Sequence, residues 1–134
     1  MFTHNMNSMR LLFALGIAVS LGCQIAYAHE WMAPAEAAML KNPIPCESSS
    51  LKRQQTLYLE NCASCHGNSG EGITASETGL RKDTPNLRKR LASHSDGDFF
   101  WKISTGKGDM PSFTGDLEDE EIWQIINFIG CPTE

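Results

Sequence analysis

Residues Cys62-Ala63-Ser64-Cys65-His66 place two thiols three positions apart, with an imidazole directly after the second thiol. Thiols at this spacing can each form a thioether with one of the two vinyl groups on a porphyrin edge. The histidine that follows then lies beneath the iron as a neutral imidazole ligand. The pentapeptide therefore predicts the attachment site of one covalent c-type haem, with Cys62 and Cys65 as anchors and His66 as the proximal ligand.

Two other chemistries use the C-x-x-C spacing, and chance is a third alternative. A thioredoxin-like redox pair follows a strand in a βαβ unit, whereas residues 51–60 have a helical pattern. A structural zinc site needs a second ligand pair at similar spacing, and neither Cys46 nor Cys131 has a cysteine nearby. The coincidence of the motif with an export signal and a second haem ligand favours haem attachment.

The first 28 residues have the three regions of a secretory signal peptide. A polar start with one positive charge, Arg10, precedes an apolar run at 11–22 and a small-residue cleavage site at 26–28. This run is too short to cross a bilayer, so we expect cleavage, export to the periplasm and no membrane span in the mature chain. Lipidation at Cys23 is less favoured, because Ser20 stands where such signals usually carry a large aliphatic residue.

Removing residues 1–28 from the 134-residue chain leaves 106 residues, enough for one small domain. The only charge lost is that of Arg10, so the formal charge changes from −5 to −6. This acidic balance argues against nucleic acid as the main partner. We expect residues 29–49 to be an N-terminal extension or linker, since two closely spaced prolines favour extended chain there, and residues 50–134 to be the haem domain.

Helical spacing of apolar residues, together with capping residues, predicts three main helices in the mature chain. The first begins near Ser49 or Ser50 and carries the haem cysteines at its C-terminal end. The second runs from about 96 to 104 and the third from about 118 to 129, whereas 67–92 has little regular pattern. The inward face of the first helix is predicted to contain Leu51, Gln55, Tyr58, Leu59 and Cys62. The buried stripe of the third is predicted to contain Ile122, Ile125, Ile126 and Ile129.

A glycine-rich loop at 106–113 presents Met110 directly before a proline. A thioether is a soft, neutral ligand suited to the sixth position of a haem iron. The other two methionines that remain after cleavage, Met32 and Met39, lie in the N-terminal extension. We therefore predict Met110 as the second axial ligand rather than a core filler. His94, expected to be exposed at a helix start, is the competing candidate.

Pro85 is a candidate for the outer shell of the haem site. A metal-bound histidine usually donates its other ring N–H to a backbone carbonyl or a carboxylate. The Pro85 carbonyl is a candidate acceptor for the His66 ring, because proline often fixes such a loop. An ordinary turn proline is the alternative, and spacing does not separate the two.

The haem motif followed by Gly67, the segment 110–113 and the terminal helix with Ile122-Trp123 resemble class I monohaem c-type cytochromes. Residues 94–103 also resemble bacterial periplasmic members of that family, and the resemblance covers about residues 50–130. It implies an all-α cytochrome c fold of three to five helices around one covalently attached haem, with the first and last helices crossing. It also implies His66 and Met110 as axial ligands, and electron transfer rather than enzymatic catalysis.

Members of that family commonly have a small residue eight positions before the first haem cysteine, where this chain has Gln54. Either the crossing of the two helices is looser, or Gln54 points sideways and forms a hydrogen bond. Cys46 and Cys131 are left after haem attachment and flank these helices. In an oxidising compartment we expect them to form a disulfide, with free thiols or an intermolecular link as the alternatives.

These interpretations predict a periplasmic carrier of single electrons between redox-partner proteins, either a soluble monomer or the haem subunit of a respiratory or oxidoreductase complex. Catalysis or gas sensing with a labile Met110 ligand is one alternative. Copper handling through His29, the N-terminal residue after cleavage, is another. One basic cluster either docks an acidic partner or is a solvated loop, and it consists of Arg81, Lys82, Arg88, Lys89 and Arg90.

Overall fold

The computed structural model describes residues 31–131, so the expected signal peptide at 1–28 and the copper candidate His29 lie outside the described residues. Within that range the regular elements are helices, with two isolated β-bridges and no strand. The helices are α1 (Ala35–Ala38), α2 (Leu51–Asn61), α3 (Ala63–His66), α4 (Ala75–Thr78), α5 (Leu87–Leu91), α6 (Asp96–Thr105) and α7 (Asp119–Gly130). None of these helices is long and apolar enough to cross a membrane.

Helix α7 forms the centre of the core. The Glu121 carboxylate accepts from the Glu118 backbone N–H at 3.2 Å, which satisfies one of the donors left open at the helix start. The predicted stripe is confirmed, since Ile122, Ile125, Ile126 and Ile129 are each 2% exposed or less. The polar residues Gln124 and Asn127 are buried as well, so α7 is enclosed on more sides than its apolar stripe alone indicates.

Helix α2 packs on α7 with a face that differs from the predicted one. Gln55 and Leu59 are exposed, whereas Gln54 and Leu57 are buried. The reason is Tyr58, whose ring centroid lies 4.6 Å from that of Phe128 and fixes which side of α2 points inward. Position 54, four residues before Tyr58, shares its buried side, whereas position 55, three residues before it, lies on the exposed edge of that face.

Gln54 points sideways along its own helix, which is the second of the two arrangements expected at this position. Its Nε2 donates to Ser50 Oγ at 2.7 Å, one turn earlier in the chain. The side chain is fully buried, and its Oε1 has no hydrogen-bond partner within the described residues. A buried, unpaired acceptor of this kind destabilises a fold by roughly 1–3 kcal/mol.

Helix α6 begins and ends close to the predicted positions. Ser95 caps it, as its Oγ accepts from the Asp98 backbone N–H at 3.1 Å, and Gly106 follows its last turn. Phe99 is buried among the core residues. Phe100 stacks on Trp123 of α7 with ring centroids 4.2 Å apart, which joins the two helices.

The N-terminal extension, as far as the structure describes it, packs against the helices rather than hanging free as a linker. The Ala33 backbone N–H donates to Asp98 Oδ1 at 2.8 Å, and Ser95 Oγ donates to the Ala38 carbonyl at 2.6 Å. A Cβ atom at position 97 would overlap the Ala37 carbonyl oxygen, so Gly97 allows α1 to approach α6 closely. The residues from Met32 onwards accordingly belong to one unit with the predicted haem domain.

A disulfide joins Cys46 to Cys131, as expected, with their Cα atoms 5.8 Å apart and a sequence separation of 85. Polar contacts support the same junction. Asn42 Nδ2 donates to Asn127 Oδ1 at 2.8 Å, and Asn127 Nδ2 donates to the Ile44 carbonyl at 3.0 Å. The extension is therefore fixed to α7 by a covalent bond and by buried amide contacts.

Candidate haem site

The two cysteines of the motif lie where α2 ends and α3 begins. The Cys62 backbone N–H donates to the Tyr58 carbonyl at 2.8 Å, and the His66 N–H donates to the Cys62 carbonyl at 2.9 Å. Cys62 is thus the residue between the two helices, and Cys65 and His66 are the last two residues of α3. Gly67 ends this helix at φ +82°, a conformation that favours glycine. Cys62 and Cys65 are both free thiols and both half-buried.

The electrostatics of the motif suit ligation better than thiol redox chemistry. Burial lowers the pKa of His66, which keeps its imidazole neutral, the form that binds a metal. Burial, with a smaller contribution from Cys65, raises the pKa of Cys62 to about 12. A catalytic dithiol needs a thiolate, so this environment opposes the thioredoxin-like alternative.

The backbone around the motif is held by hydrogen bonds from three directions. Thr84 Oγ1 donates to the Cys65 carbonyl at 2.7 Å, and the Gly72 N–H donates to the His66 carbonyl at 2.9 Å. The Tyr58 hydroxyl donates to the Gly67 carbonyl at 2.8 Å, and burial raises the pKa of Tyr58, so the phenol keeps its proton. These contacts fix the position from which the His66 ring projects.

The His66 ring itself has a buried Nδ1 without a hydrogen-bond partner among the described residues. The predicted contact from this nitrogen to the Pro85 carbonyl is not formed here and stays a prediction for the haem-loaded protein. The Pro85 carbonyl lies against Gly72, since a Cβ atom at Gly72 would lie 3.1 Å from its oxygen. Gly72 in turn donates its backbone N–H to the His66 carbonyl.

These residues fit a covalently bound haem. A buried imidazole nitrogen without a hydrogen-bond partner, here His66 Nδ1, destabilises the fold. When the other ring nitrogen binds a metal, Nδ1 carries the proton and can donate it to a nearby acceptor, which removes this destabilisation. Two free thiols stand beside the imidazole, and Cys62 lies against the apolar core cluster. Cys62, Cys65 and His66 would hold the group, and Met110 is the candidate for the remaining axial position.

Met110 lies on a tight turn. The Lys107 N–H donates to the Met110 carbonyl at 3.0 Å, and the Met110 N–H donates back to the Lys107 carbonyl at 3.2 Å. Behind the turn, Ser112 Oγ donates to the Ser104 carbonyl at 2.6 Å, which fixes the loop to the end of α6. Met110 is half-buried and packs against the same hydrophobic core cluster as Cys62. A predicted haem anchor and the predicted second ligand therefore both contact that cluster.

His94 is not exposed as expected, because it belongs to a buried polar group at the N-terminal end of α6. Its side chain is 5% exposed, and its Nε2 lies 3.9 Å from Asp98 Oδ2. Ser93 Oγ lies 3.3 Å from its Nδ1, and its ring meets the edge of Phe99. Since both ring nitrogens have polar neighbours, His94 competes poorly with Met110 for a metal.

The basic cluster is divided by the fold. Arg88 is half-buried and donates to the carbonyls of Ile129 at 2.8 Å and Phe128 at 3.1 Å, so it caps the C-terminal end of α7. Arg81 is occupied by Asp109, with Nε and Oδ1 2.9 Å apart. The backbone N–H of Arg81, followed by its guanidinium, lowers the pKa of Asp109. Two of the five cations therefore have structural partners instead of being free for docking.

Asp109 and Thr84 are the site residues that the sequence analysis missed. Asp109 immediately precedes Met110, and Thr84 binds the backbone of the haem motif. Both contacts join positions far apart in the chain, with separations of 28 and 19 residues. Periodicity and local spacing contain no information on contacts between residues so far apart. The one available signal was the charge of Asp109 directly before a candidate ligand.

Known proteins resemble this chain over the same region. Residues 49–129 match the family model described as cytochrome C oxidase, cbb3-type, subunit III. Cytochrome c6 of Thermosynechococcus vestitus is 27% identical over 82 residues, 61% of this chain and 70% of that protein. Cytochrome c6 of Synechococcus elongatus is 30% identical over 73 residues, 54% of this chain and 79% of that protein. Cytochrome c6 of Porphyra purpurea is 29% identical over 87 residues, 65% of this chain and 76% of that protein.

The family match covers more than half of the chain and includes the haem motif and all three main helices except the last residue of α7. The helical architecture agrees with it, so the predicted all-α cytochrome c fold is confirmed, although the described residues form seven α-helices, four of them short, instead of three to five. Members of this family bind one covalent haem c and serve in electron transport. The chain therefore belongs to the family that this model describes and is a class I monohaem c-type cytochrome.

Proposed function

We propose that this cytochrome carries single electrons between redox-partner proteins in the periplasm, with both axial positions of its haem filled by the protein. The bound haem would supply a one-electron ferrous/ferric couple. The observation that carries the proposal is the position of Met110, half-buried at the apolar cluster that also receives Cys62. With His66 and Met110 both bound to the metal, the chain would leave no position on it for a substrate.

Each residue of the site has a distinct task in such a carrier. Cys62 and Cys65 keep the cofactor attached during brief encounters with partners. His66, neutral because it is buried, binds without needing to lose a proton. Met110 supplies a neutral thioether, which favours the ferrous state and raises the reduction potential.

A periplasmic location is supported by two independent features. The sequence predicts a cleaved signal peptide at 1–28. The Cys46–Cys131 disulfide is typical of proteins that work in an oxidising compartment. Radiolabelled or immunodetected protein should be found in the periplasmic fraction with the mature N-terminus at His29; a cytoplasmic protein with an intact N-terminus would contradict this part of the proposal.

The soluble and complex-bound forms of the carrier are supported by different findings. The family model describes a subunit of an oxidase, whereas the relatives named above are cytochromes c6. Purification of the native protein from the membrane fraction and from the soluble fraction of the cells distinguishes the two forms. Copurification with membrane subunits supports the subunit form, and a monomer in the soluble fraction supports the free carrier.

Catalysis or gas sensing at the haem requires Met110 to leave the metal and needs a distal acid–base group. His94 was the sole candidate for that group, and its ring lies among Ser93, Asp98 and Phe99 instead. Copper handling through His29 stays a prediction, tested by copper titration of the mature protein against a His29→Ala variant.

Protein-film voltammetry of Met110→Ala tests the ligand assignment. We expect one reversible one-electron wave for the wild type and a lower potential for Met110→Ala, because the thioether favours ferrous iron. Met39→Ala is the matched control, since Met39 is exposed and lies on the extension. An unchanged potential in Met110→Ala would exclude Met110 as the ligand.

A further inference from the structure

We propose that Arg81 is a positioning residue for Met110: through Asp109 it holds the tip of the Met110 loop, and its loss makes the sixth coordination position easier to open. The inference rests on the proposed ligation by Met110. It concerns how firmly that ligand is held, which neither the motif nor the family match describes.

The contact between Arg81 and Asp109 is made by more than one hydrogen bond. The Arg81 Nε lies 2.9 Å from Oδ1 and 3.1 Å from Oδ2 of Asp109, and the Arg81 backbone N–H donates to Oδ2 at 3.1 Å. A carboxylate that receives both a side chain and a backbone N–H is held in orientation as well as in distance. The guanidinium also extends over Gly108, where a Cβ atom would lie 2.9 Å from Arg81 Nη2.

The contact between Arg81 and Asp109 lies at the tip of the loop that carries Met110. The base of the loop is fixed by Ser112, bonded to the end of α6, and by the Phe113 N–H, which donates to the Ile103 carbonyl at 3.2 Å. At the tip, the Lys107 and Met110 backbones bond to each other in both directions and close the turn. Asp109 lies inside that turn, directly before Met110, so the ion pair attaches the tip to another segment.

The segment that carries Arg81 also touches the haem motif. Three residues later, Thr84 Oγ1 donates to the Cys65 carbonyl, and the Thr84 N–H donates to the Ile73 carbonyl at 2.9 Å. Four consecutive residues span at most roughly 13 Å, so residues 81–84 form a short link with one end on each ligand-bearing segment. Removing the Arg81 side chain breaks both Nε contacts and keeps the backbone contact to Oδ2, so it should loosen the Met110 side and leave the Cys65 side unchanged.

The size of the effect follows from the exposure of the pair, whose side chains are 72% and 35% exposed. Pairs of this kind are worth little in stability, so the open population should rise by about two- to fivefold when the pair is removed. Salt screens an exposed pair, and the difference between variant and wild type should therefore shrink at about 1 M salt.

The experiment is a titration of the ferric holoprotein with imidazole, which competes with methionine for the sixth position. The readout is the loss of the weak far-red band of methionine-ligated ferric haem. We expect Arg81→Ala to bind imidazole about two- to fivefold more tightly than the wild type. Lys82→Ala is the control, because it removes a neighbouring exposed cation, and it should bind as the wild type does.

Further variants separate positioning from a general loss of stability. Asp109→Ala removes every contact to Arg81 and should show at least the increase of Arg81→Ala. The double variant Arg81→Ala/Asp109→Ala should then bind imidazole as Asp109→Ala does. Arg81→Lys, which keeps the charge, should recover part of the wild-type behaviour. A merely structural role would change the thermal midpoint without changing imidazole affinity.

Two outcomes overturn the inference in distinguishable ways. If Arg81→Ala and Asp109→Ala bind imidazole as Lys82→Ala does, the ion pair does not position Met110, although Met110 ligation stands. If the wild type lacks the far-red band, Met110 ligation itself fails, and the role proposed for Arg81 fails with it.

Discussion

Arg88 is expected to stabilise the fold by holding the end of α7, and an Arg88→Ala variant tests this. Its guanidinium donates to the Phe128, Ile129 and Ser69 carbonyls at 3.1, 2.8 and 3.1 Å. It also lies 5.6 Å from the centroid of the Phe128 ring. Three contacts and one stacking interaction therefore depend on a single side chain that joins α5 to α7 and to the loop after the haem motif.

The expected loss can be worked from those contacts. Carbonyls at a helix end are partly rehydrated when a cap is removed, so we count about 1 kcal/mol for each of the two α7 carbonyls. The cation–π contact adds about 0.5–1 kcal/mol. The sum is about 2–3 kcal/mol, which for a domain of this size lowers the thermal midpoint by roughly 10 °C or more.

Circular dichroism of the oxidised holoprotein during heating measures this shift. Lys89→Ala is the matched control, because Lys89 is the next residue along α5 and is exposed, and it should change stability by less than about 0.5 kcal/mol. Equal midpoints for Arg88→Ala and Lys89→Ala would contradict the capping role. In that case Arg88 would again be a candidate for docking a partner, together with Lys82, Lys89 and Arg90.

Two further predictions concern the packing of α2 and the extension. Gln54→Met should raise the urea midpoint by an amount equivalent to about 1 kcal/mol, because it removes the buried unpaired Oε1 at similar volume; a lower midpoint would show that the bond to Ser50 matters more. Replacing Cys46 and Cys131 by serine should cost roughly 4 kcal/mol through loop entropy while the haem spectrum stays unchanged. Titration of the unfolded, unreduced holoprotein should correspondingly detect no free thiol, and two free thiols would exclude the bond.

The parts of the fold that the sequence predicted are those that depend on near neighbours. The haem motif, the start of α6 near residue 96 and the isoleucine stripe of α7 each involve residues within about one or two helical turns of each other. Capping and helical periodicity are local effects, so a single sequence displays them directly. The resemblance of the haem motif to a known family added the crossing of the first and last helices.

The parts that the sequence did not predict depend on partners far along the chain. Gln54 is buried although polar, because the direction of α2 is set by Tyr58 against Phe128. His94 lies beside Asp98, only four residues later, but Asp98 itself accepts from the Ala33 N–H, 65 residues away in the chain. A hydropathy pattern counts such residues as exposed, since it contains no information on which distant side chain satisfies a polar group.

The absorption spectrum of the purified mature protein, oxidised and reduced, with and without carbon monoxide, tests most directly whether His66 and Met110 fill both axial positions. We predict a low-spin spectrum with the far-red methionine band in the ferric state and no response of the ferrous state to carbon monoxide. High-spin features or ready carbon monoxide binding would contradict an electron carrier with two protein ligands and would favour a haem protein that binds small molecules at its iron.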